Sequence, residues 1–299
     1  MNYIEKINEL KNKKNAVILV HNYQRGEIQD IGDYIGDSLG LSQQANKTDA
    51  SIIVFCGVRF MAETAKILSP EKKVLMPRKE AGCPMANMVT PEDVLSMRKK
   101  HPNAKVVSYV NTNADVKAVT DVCCTSANAV KVVKNIDADE IIFVPDKNLG
   151  AYVKRFTDKK MILWDGFCYV HDSISKEDVL SAKNKYPEAL LLVHPECRPE
   201  VIDIADEVLS TSGMLKFAKE SKAKKFLIGT EEGIIYRLKK KNPGKEFYSA
   251  GTQKICSNMK LTHLEDVYNS LNEEKYEINL PENIINASKK SLEAMLKYV

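Results

Sequence analysis

The 299 residues contain no apolar run approaching the roughly 18–20 positions needed to span a bilayer. They also open without an apolar export segment, since Met1-Asn2-Tyr3-Ile4-Glu5-Lys6-Ile7 is polar and amphipathic. Membrane residence and export are therefore not expected, and a cytoplasmic location is. Charge of one sign is equally scarce: 44 Lys and Arg against 40 Asp and Glu leave a formal net charge of +4. The short basic run Lys239-Lys240-Lys241 reads as a solvated helix end, so nucleic acid is not an expected partner. The odd count of seven cysteines fits a disulfide framework poorly, and the closely spaced pairs of a structural zinc site are missing. What remains is an ordinary globular composition, 44% hydrophobic and 28% charged, on a chain long enough for two or three small domains.

Amphipathic stretches alternate with β-branched runs at residues 16–20, 51–55, 105–110, 140–144, 190–193 and 225–228. Such alternation predicts an α/β protein with parallel sheets covered by helices. The chain also repeats itself. Glu92-Asp93-Val94-Leu95-Ser96, followed by Pro102, returns 85 residues later as Glu177-Asp178-Val179-Leu180-Ser181, followed by Pro187.

The strand ends carry polar residues in register: His21 and Tyr23, Tyr109 and Asn111, His194 and Glu196. A hydroxyl stands 17 residues beyond the first member of each pair, at Ser38, Ser126 and Thr211, and five residues before each hydroxyl is an aspartate, Asp33, Asp121 or Asp206. Each unit then closes on a glycine and a cysteine, Gly82 and Cys83, Gly166 and Cys168, Gly251 and Cys256. Because ligands in open α/β sheets sit beyond the carboxyl ends of the strands, three such units related by pseudo-threefold symmetry would turn all these groups into one central cavity. The expected boundaries are residues 1–88, 89–172 and 173–260, with a helical extension at 261–299. In that extension Thr262-His263-Leu264-Glu265 reads as a capping box, and Ile284, Ile285, Leu292, Met295 and Leu296 mark a closing amphipathic helix.

Three thiolates at matched positions suit a soft metal centre, and a cubane cluster held by three cysteines leaves one iron open as a Lewis acid. Cys56, Cys123, Cys124 and Cys197 have no counterparts in the other units and read as packing residues. The matched hydroxyls suggest helix N-caps converging on a polyanion. His194 and Glu196 can supply acid–base chemistry, with Tyr23 and Tyr109 as phenolic partners. A hydro-lyase acting on a hydroxy acid would share the cysteines but needs no phosphate-binding hydroxyls; an iron–sulfur sensor or electron carrier would leave the strand-end polar groups without purpose.

Taken together, His21-Asn22-Tyr23-Gln24, Gly36-Asp37-Ser38-Leu39, Phe60-Met61-Ala62-Glu63, Cys83-Pro84-Met85-Ala86-Asn87, Tyr109-Val110-Asn111, Thr125-Ser126-Ala127-Asn128, Pro145-Asp146-Lys147-Asn148-Leu149-Gly150, His194-Pro195-Glu196 and Cys256-Ser257-Asn258-Met259 resemble the quinolinate synthase family over nearly the whole chain. The resemblance implies three similar α/β domains around one 4Fe-4S cluster on Cys83, Cys168 and Cys256. It implies condensation of iminoaspartate with dihydroxyacetone phosphate to quinolinate in NAD synthesis, with a link to an iminoaspartate-producing enzyme. It places substrate contacts at His21, Ser38, Tyr109, Val110, Asn111, Ser126, His194, Pro195, Glu196 and Thr211. Tyr23, Tyr109, His194 and Glu196 become the catalytic candidates. The stretch around Cys168 and His171 matches the family loosely, and only Cys256 stands where some members carry several cysteines.

Overall fold

A computed structural model describes residues 2–298. Among them, twelve strands form three four-stranded sheets, every pairing within them parallel. The first sheet holds β1 (Ala16–His21), β2 (Tyr34–Gly36), β3 (Ile52–Cys56) and β4 (Lys73–Leu75). The second holds β5 (Lys105–Tyr109), β6 (Val122–Cys124), β7 (Glu140–Val144) and β8 (Lys160–Leu163). The third holds β9 (Leu190–Val193), β10 (Glu207–Val208), β11 (Lys225–Gly229) and β12 (Glu246–Ser249). All three share one strand order, second-first-third-fourth. The two inner strands of each sheet are near-continuous apolar runs because helices cover both faces.

The recurring aspartates are structural struts. Asp33, Asp121 and Asp206 accept the backbone N–H of Ile18, Val106 and Leu191 at 2.8, 2.7 and 2.7 Å, always fifteen residues back. In each case the aspartate's own N–H returns to the carbonyl of that same residue. A basic side chain from the helix before the first strand pairs with each carboxylate: Lys11 from Tyr3–Lys13, Arg98 from Pro91–Lys100, Lys183 from Lys176–Lys185. One carboxylate thus ties helix, first strand and second strand together in every unit. A second repeated device is a lysine just before the fourth strand. Lys72, Lys159 and Lys245 donate to carbonyls at the carboxyl ends of the helices Ser38–Lys47, Ala129–Asn135 and Thr211–Glu220, where the helix dipole favours a cation.

Residues beyond 261 bind the first unit to the second. The helix Leu264–Glu273 packs on Tyr3–Lys13 and β3. Ile278 then donates its N–H to Val74 at 2.8 Å, and Leu75 pairs antiparallel with Glu277, which occupies the open edge of β4. The closing helix Glu282–Leu296 lies on Ala114–Ala118 and β6, where Ser288 and Ser291 donate to Ala114 and Lys117 carbonyls, both at 2.9 Å. The capping box expected at Thr262 is shifted by one residue: His263 is the N-cap and its N–H donates to Asp266, not Glu265, at 2.9 Å.

Asp121→Ala strands the Val106 N–H and removes the partner of Arg98. It should lower stability by about 1–3 kcal/mol, the usual cost of an unsatisfied buried donor, read as a lower urea midpoint with unchanged slope.

Candidate active site

Each sheet delivers four side chains past its strand ends, two after the first strand, one after the second and one after the fourth. The first strands present His21 and Tyr23, Tyr109 and Asn111, His194 and Glu196; the second strands lead to Ser38, Ser126 and Thr211; the fourth strands lead to Cys83, Cys168 and Cys256. All of these side chains line one cavity. Val110 and Pro195 do not: both are buried, and Val110 packs in the core with its N–H on the Cys124 carbonyl. The expectation of three helix N-caps is corrected. Ser38 and Thr211 are first residues of their helices, capped by Asp37 and Ser210, while Ser126 precedes the cap of Ala129–Asn135. Residues 57–63 run into the helix Arg59–Leu68, with Val58, Phe60 and Met61 on the cavity wall.

Glu196 is the polar centre. It is 2% exposed, accepts the Tyr109 hydroxyl at 2.5 Å on Oε1, and has His171 Nδ1 2.9 Å from Oε2. That nitrogen lies out of line for donation and has no hydrogen-bond partner, as does the buried Asn111 Oδ1 in the cavity wall. His171 Nε2 stands 2.8 Å from Thr230 Oγ1, which is 2.5 Å from the Tyr23 hydroxyl. The His171 ring stacks on His194 at 4.6 Å. His171, loosely matched in sequence, therefore sits at the centre of the network. Thr230 and Glu231 were not singled out by the sequence reading at all; their placement just past β11 was the available signal, because the inner third strand of each sheet also ends at the cavity.

Backbone geometry sets the tautomer of two histidines. His21 Nδ1 accepts the N–H of Tyr23 at 3.2 Å and His194 Nδ1 that of Glu196 at 3.4 Å. Each neutral ring then carries its proton on Nε2, and His194 uses it toward Ser126 Oγ at 3.1 Å. Burial lowers both imidazoles to about 3, while burial and the Glu196 charge push the Tyr23 and Tyr109 phenols well above their ordinary range. Burial alone would raise Glu196, but His171, His194 and the Tyr109 hydroxyl outweigh it and bring the carboxyl to about 2. At neutral pH the neutral His21 and His194 rings and the Tyr23 and Tyr109 phenols thus stand around the ionised Glu196 carboxylate.

The chain's similarities to known proteins agree over its full extent. Residues 5–297 match the family described as quinolinate synthetase A protein. The chain belongs to the quinolinate synthase family. It is 56% identical over 292 residues to the quinolinate synthase of Caldicellulosiruptor saccharolyticus, covering 97% of this chain and 96% of that one. Identity is 53% to the quinolinate synthase of Geotalea uraniireducens, covering 97% and 95%, and 53% to quinolinate synthase 2 of Methanosarcina acetivorans, covering 98% and 94%. Membership makes the chain an enzyme and implies an iron–sulfur cofactor.

The donor set fits such a group. Cys83, Cys168 and Cys256 are unpaired thiols on one cavity, half-buried, and the peptide N–H of the residue three further on, Ala86, His171 or Met259, favours each thiolate. Burial opposes ionisation and pushes Cys83 up to about 12, so metal must displace the protons. Among the described residues, the one group of three ligating atoms within 4.8 Å of one another is Cys168, His171 and Glu196, which puts the carboxylate beside a cysteine. Cys56, Cys123, Cys124 and Cys197 are fully buried and off the cavity. No helix among the described residues is long and apolar enough to cross a membrane.

His21 and His194 titrate near 6.5 when unfolded and near 3 when folded, so the unfolded chain binds more protons through that window. Stability should fall as pH drops below about 6.5, by about 2 kcal/mol per histidine at pH 5. Glu196 contributes only below about 4.5, and the buried carboxyls of Asp146 and Glu231, which burial pushes up, contribute with the opposite sign, so the histidine share is read as the difference between a histidine variant and the parent. In anaerobic urea titrations at pH 7.5 and 5, His21→Asn should lose about 2 kcal/mol less than the parent.

Proposed function

We propose that this chain condenses iminoaspartate with dihydroxyacetone phosphate to quinolinate, releasing phosphate and two waters, in NAD synthesis. One observation carries the reading: the thiols of Cys83, Cys168 and Cys256, the matched hydroxyls of Ser38, Ser126 and Thr211, the rings of His21 and His194 and the Glu196 carboxylate share a single cavity. We take the three units as related by pseudo-threefold rotation, with boundaries at residues 88, 172 and 260, and the enzyme as cytoplasmic, where its thiols stay reduced. Because an imine hydrolyses in water, a link to an iminoaspartate-producing enzyme suits this chemistry.

Cys83, Cys168 and Cys256 would hold one 4Fe-4S cluster per chain. When bound, it supplies an open iron that polarises a carbonyl or hydroxyl oxygen. The chain's own residues do the rest. His21 and His194 offer Nε2–H donors, and Ser38, Ser126 and Thr211 offer hydroxyls, to carboxylate and phosphate oxygens. Ser38 and Thr211 add the free N–H groups at the starts of two ten-residue helices. Asn111 presents an unsatisfied carbonyl oxygen suited to a substrate N–H or O–H.

Glu196 is the proton acceptor we favour. A carboxylate near pKa 2 is a weak base, yet a dicarboxylate substrate in the same dry cavity raises it by like-charge repulsion, toward the range where a base is effective. The Tyr109 hydroxyl on Oε1 gives it a proton donor for the reverse direction. Tyr23, Thr230 and His171 form a second chain of exchangeable protons that ends at His171 Nδ1, 2.9 Å from the other oxygen and in need of a small ring rotation to donate to it. This supports separate handling of the proton removed from carbon and the protons that leave with water.

Two measurements test the reading. Replacing Cys83, Cys168 or Cys256 singly by Ala should abolish or strongly weaken cluster binding, while Cys56→Ala keeps the iron content of the parent, about four irons per chain for a cubane. A colourless, zinc-loaded, fully active parent purified without oxygen would overturn it. Glu196→Gln keeps the shape but removes the base, and should lower kcat by about 10²–10⁴ with cluster content unchanged. Near-parental turnover would reduce Glu196 to a positioning role.

A further inference from the structure

The three cysteine-bearing loops are anchored by a backbone clamp that all units share. Two positions beyond the last paired residue of the third strand stand Val58, Asp146 and Glu231, in strictly matched register with the first strands. The next residue in each unit donates its N–H to the carbonyl two places before the cysteine. These bonds are Arg59 to Ala81 at 2.9 Å, Lys147 to Gly166 at 2.8 Å and Glu232 to Lys254 at 2.9 Å. In two of the three units the matched position also bears a carboxylate, and both are almost fully buried, at 0% and 1% exposed.

Each of these carboxylates takes the cysteine's own peptide N–H. Asp146 Oδ2 accepts from Cys168 at 3.1 Å, and Glu231 Oε1 accepts from Cys256 at the same distance. The remaining oxygens turn to the chain that follows the strand: Asp146 Oδ1 accepts the Leu149 N–H at 2.7 Å, and Glu231 Oε2 the Gly233 N–H at 2.7 Å. Lys260, four residues past Cys256, also pairs with Glu231 at 2.9 Å. Burying a carboxylate is costly unless its oxygens are satisfied, and here most of what satisfies them is loop backbone at a cysteine and at the adjoining helix start. The first unit has Val58 at this place, so Cys83 receives no such brace.

We infer that Asp146 and Glu231 are positioning residues that hold Cys168 and Cys256 in ligating geometry, so that two corners of the cysteine triangle are braced by a carboxylate and the third is not. The inference rests on these cysteines being the cluster ligands. A peptide N–H committed to a fixed carboxylate fixes the plane of that peptide and with it the direction of the cysteine side chain. Groups that orient metal ligands in this way commonly govern metal retention by factors of 10–100.

The test is the first-order rate at which the anaerobically purified protein loses its cluster to a chelator, followed by the visible absorbance of the cluster. Asp146→Ala and Glu231→Ala should raise that rate by about 10–100-fold. Asp146→Asn and Glu231→Gln, which keep one acceptor oxygen, should fall between the Ala variants and the parent, and they decide the matter if an Ala variant does not fold. Asp121→Ala serves as the comparison. It removes a strut at the amino ends of β5 and β6, opposite the strand ends that lead to the three ligand cysteines, and should leave the loss rate within about twofold of the parent despite its lower stability. The inference is overturned if the amide variants lose the cluster at the parental rate, or if Asp121→Ala loses it as fast as Asp146→Ala. A parent that carries no cluster would overturn the ligand assignment itself, an outcome distinct from both.

Discussion

The structure depends on a partly buried hydrogen bond made three times, from the N–H of a first-strand residue to the carboxylate of an aspartate fifteen positions later. It fixes where the second strand lies against the first, and five residues later the chain delivers a hydroxyl to the cavity rim. A slip of one residue would turn every second-strand side chain to the opposite face. The basic residue that neutralises each carboxylate comes from the helix before the first strand, so one ionic junction sets the relative placement of three elements. The spacing shared by all three units is the trace of this junction in the amino-acid order.

On that frame sits a cavity whose electrostatics are prepared before anything binds. His21 and His194 are held neutral with the backbone setting their tautomers, the phenols keep their protons, and the ionised Glu196 carboxylate stands among donors. Such a site need not reorganise its dipoles when charge develops, which is where polar enzyme interiors gain most over water. It also explains why the groups come from different units: like residues are kept apart along the chain and meet only through the third dimension.

Inner strands, the repeat, the cysteines and the first-strand polar pairs were legible because each is either a continuous apolar run or an exact spacing. Edge strands such as Glu207–Val208 and Tyr34–Gly36 were not, being two or three residues long and half-exposed, with no periodicity to read. Hydroxyls assigned as caps proved to stand at or before the first helical turn, since Asp37 and Ser210 compete for the same role one residue earlier. Thr230, Glu231 and Asp146 escaped notice for a different reason. Their types differ from unit to unit, Val58 included, so identity does not repeat although position does. His171 stands three residues after its cysteine, as Ala86 and Met259 do, so here too position repeats while type does not, and its ring packs on His194 beside Glu196.

The pairing of Leu75 with Glu277 joins segments about 200 residues apart in sequence. At a ribosomal pace of about 5–20 residues per second, the edge of β4 emerges some 10–40 s before the strand that covers it. Throughout that interval the first unit presents free backbone groups and an uncovered flank to solvent. The last part of the chain therefore acts as a timed closure: the nascent molecule passes through a stage with a complete first sheet and an exposed edge, which is where chaperone contact or mispairing between neighbouring chains would concentrate.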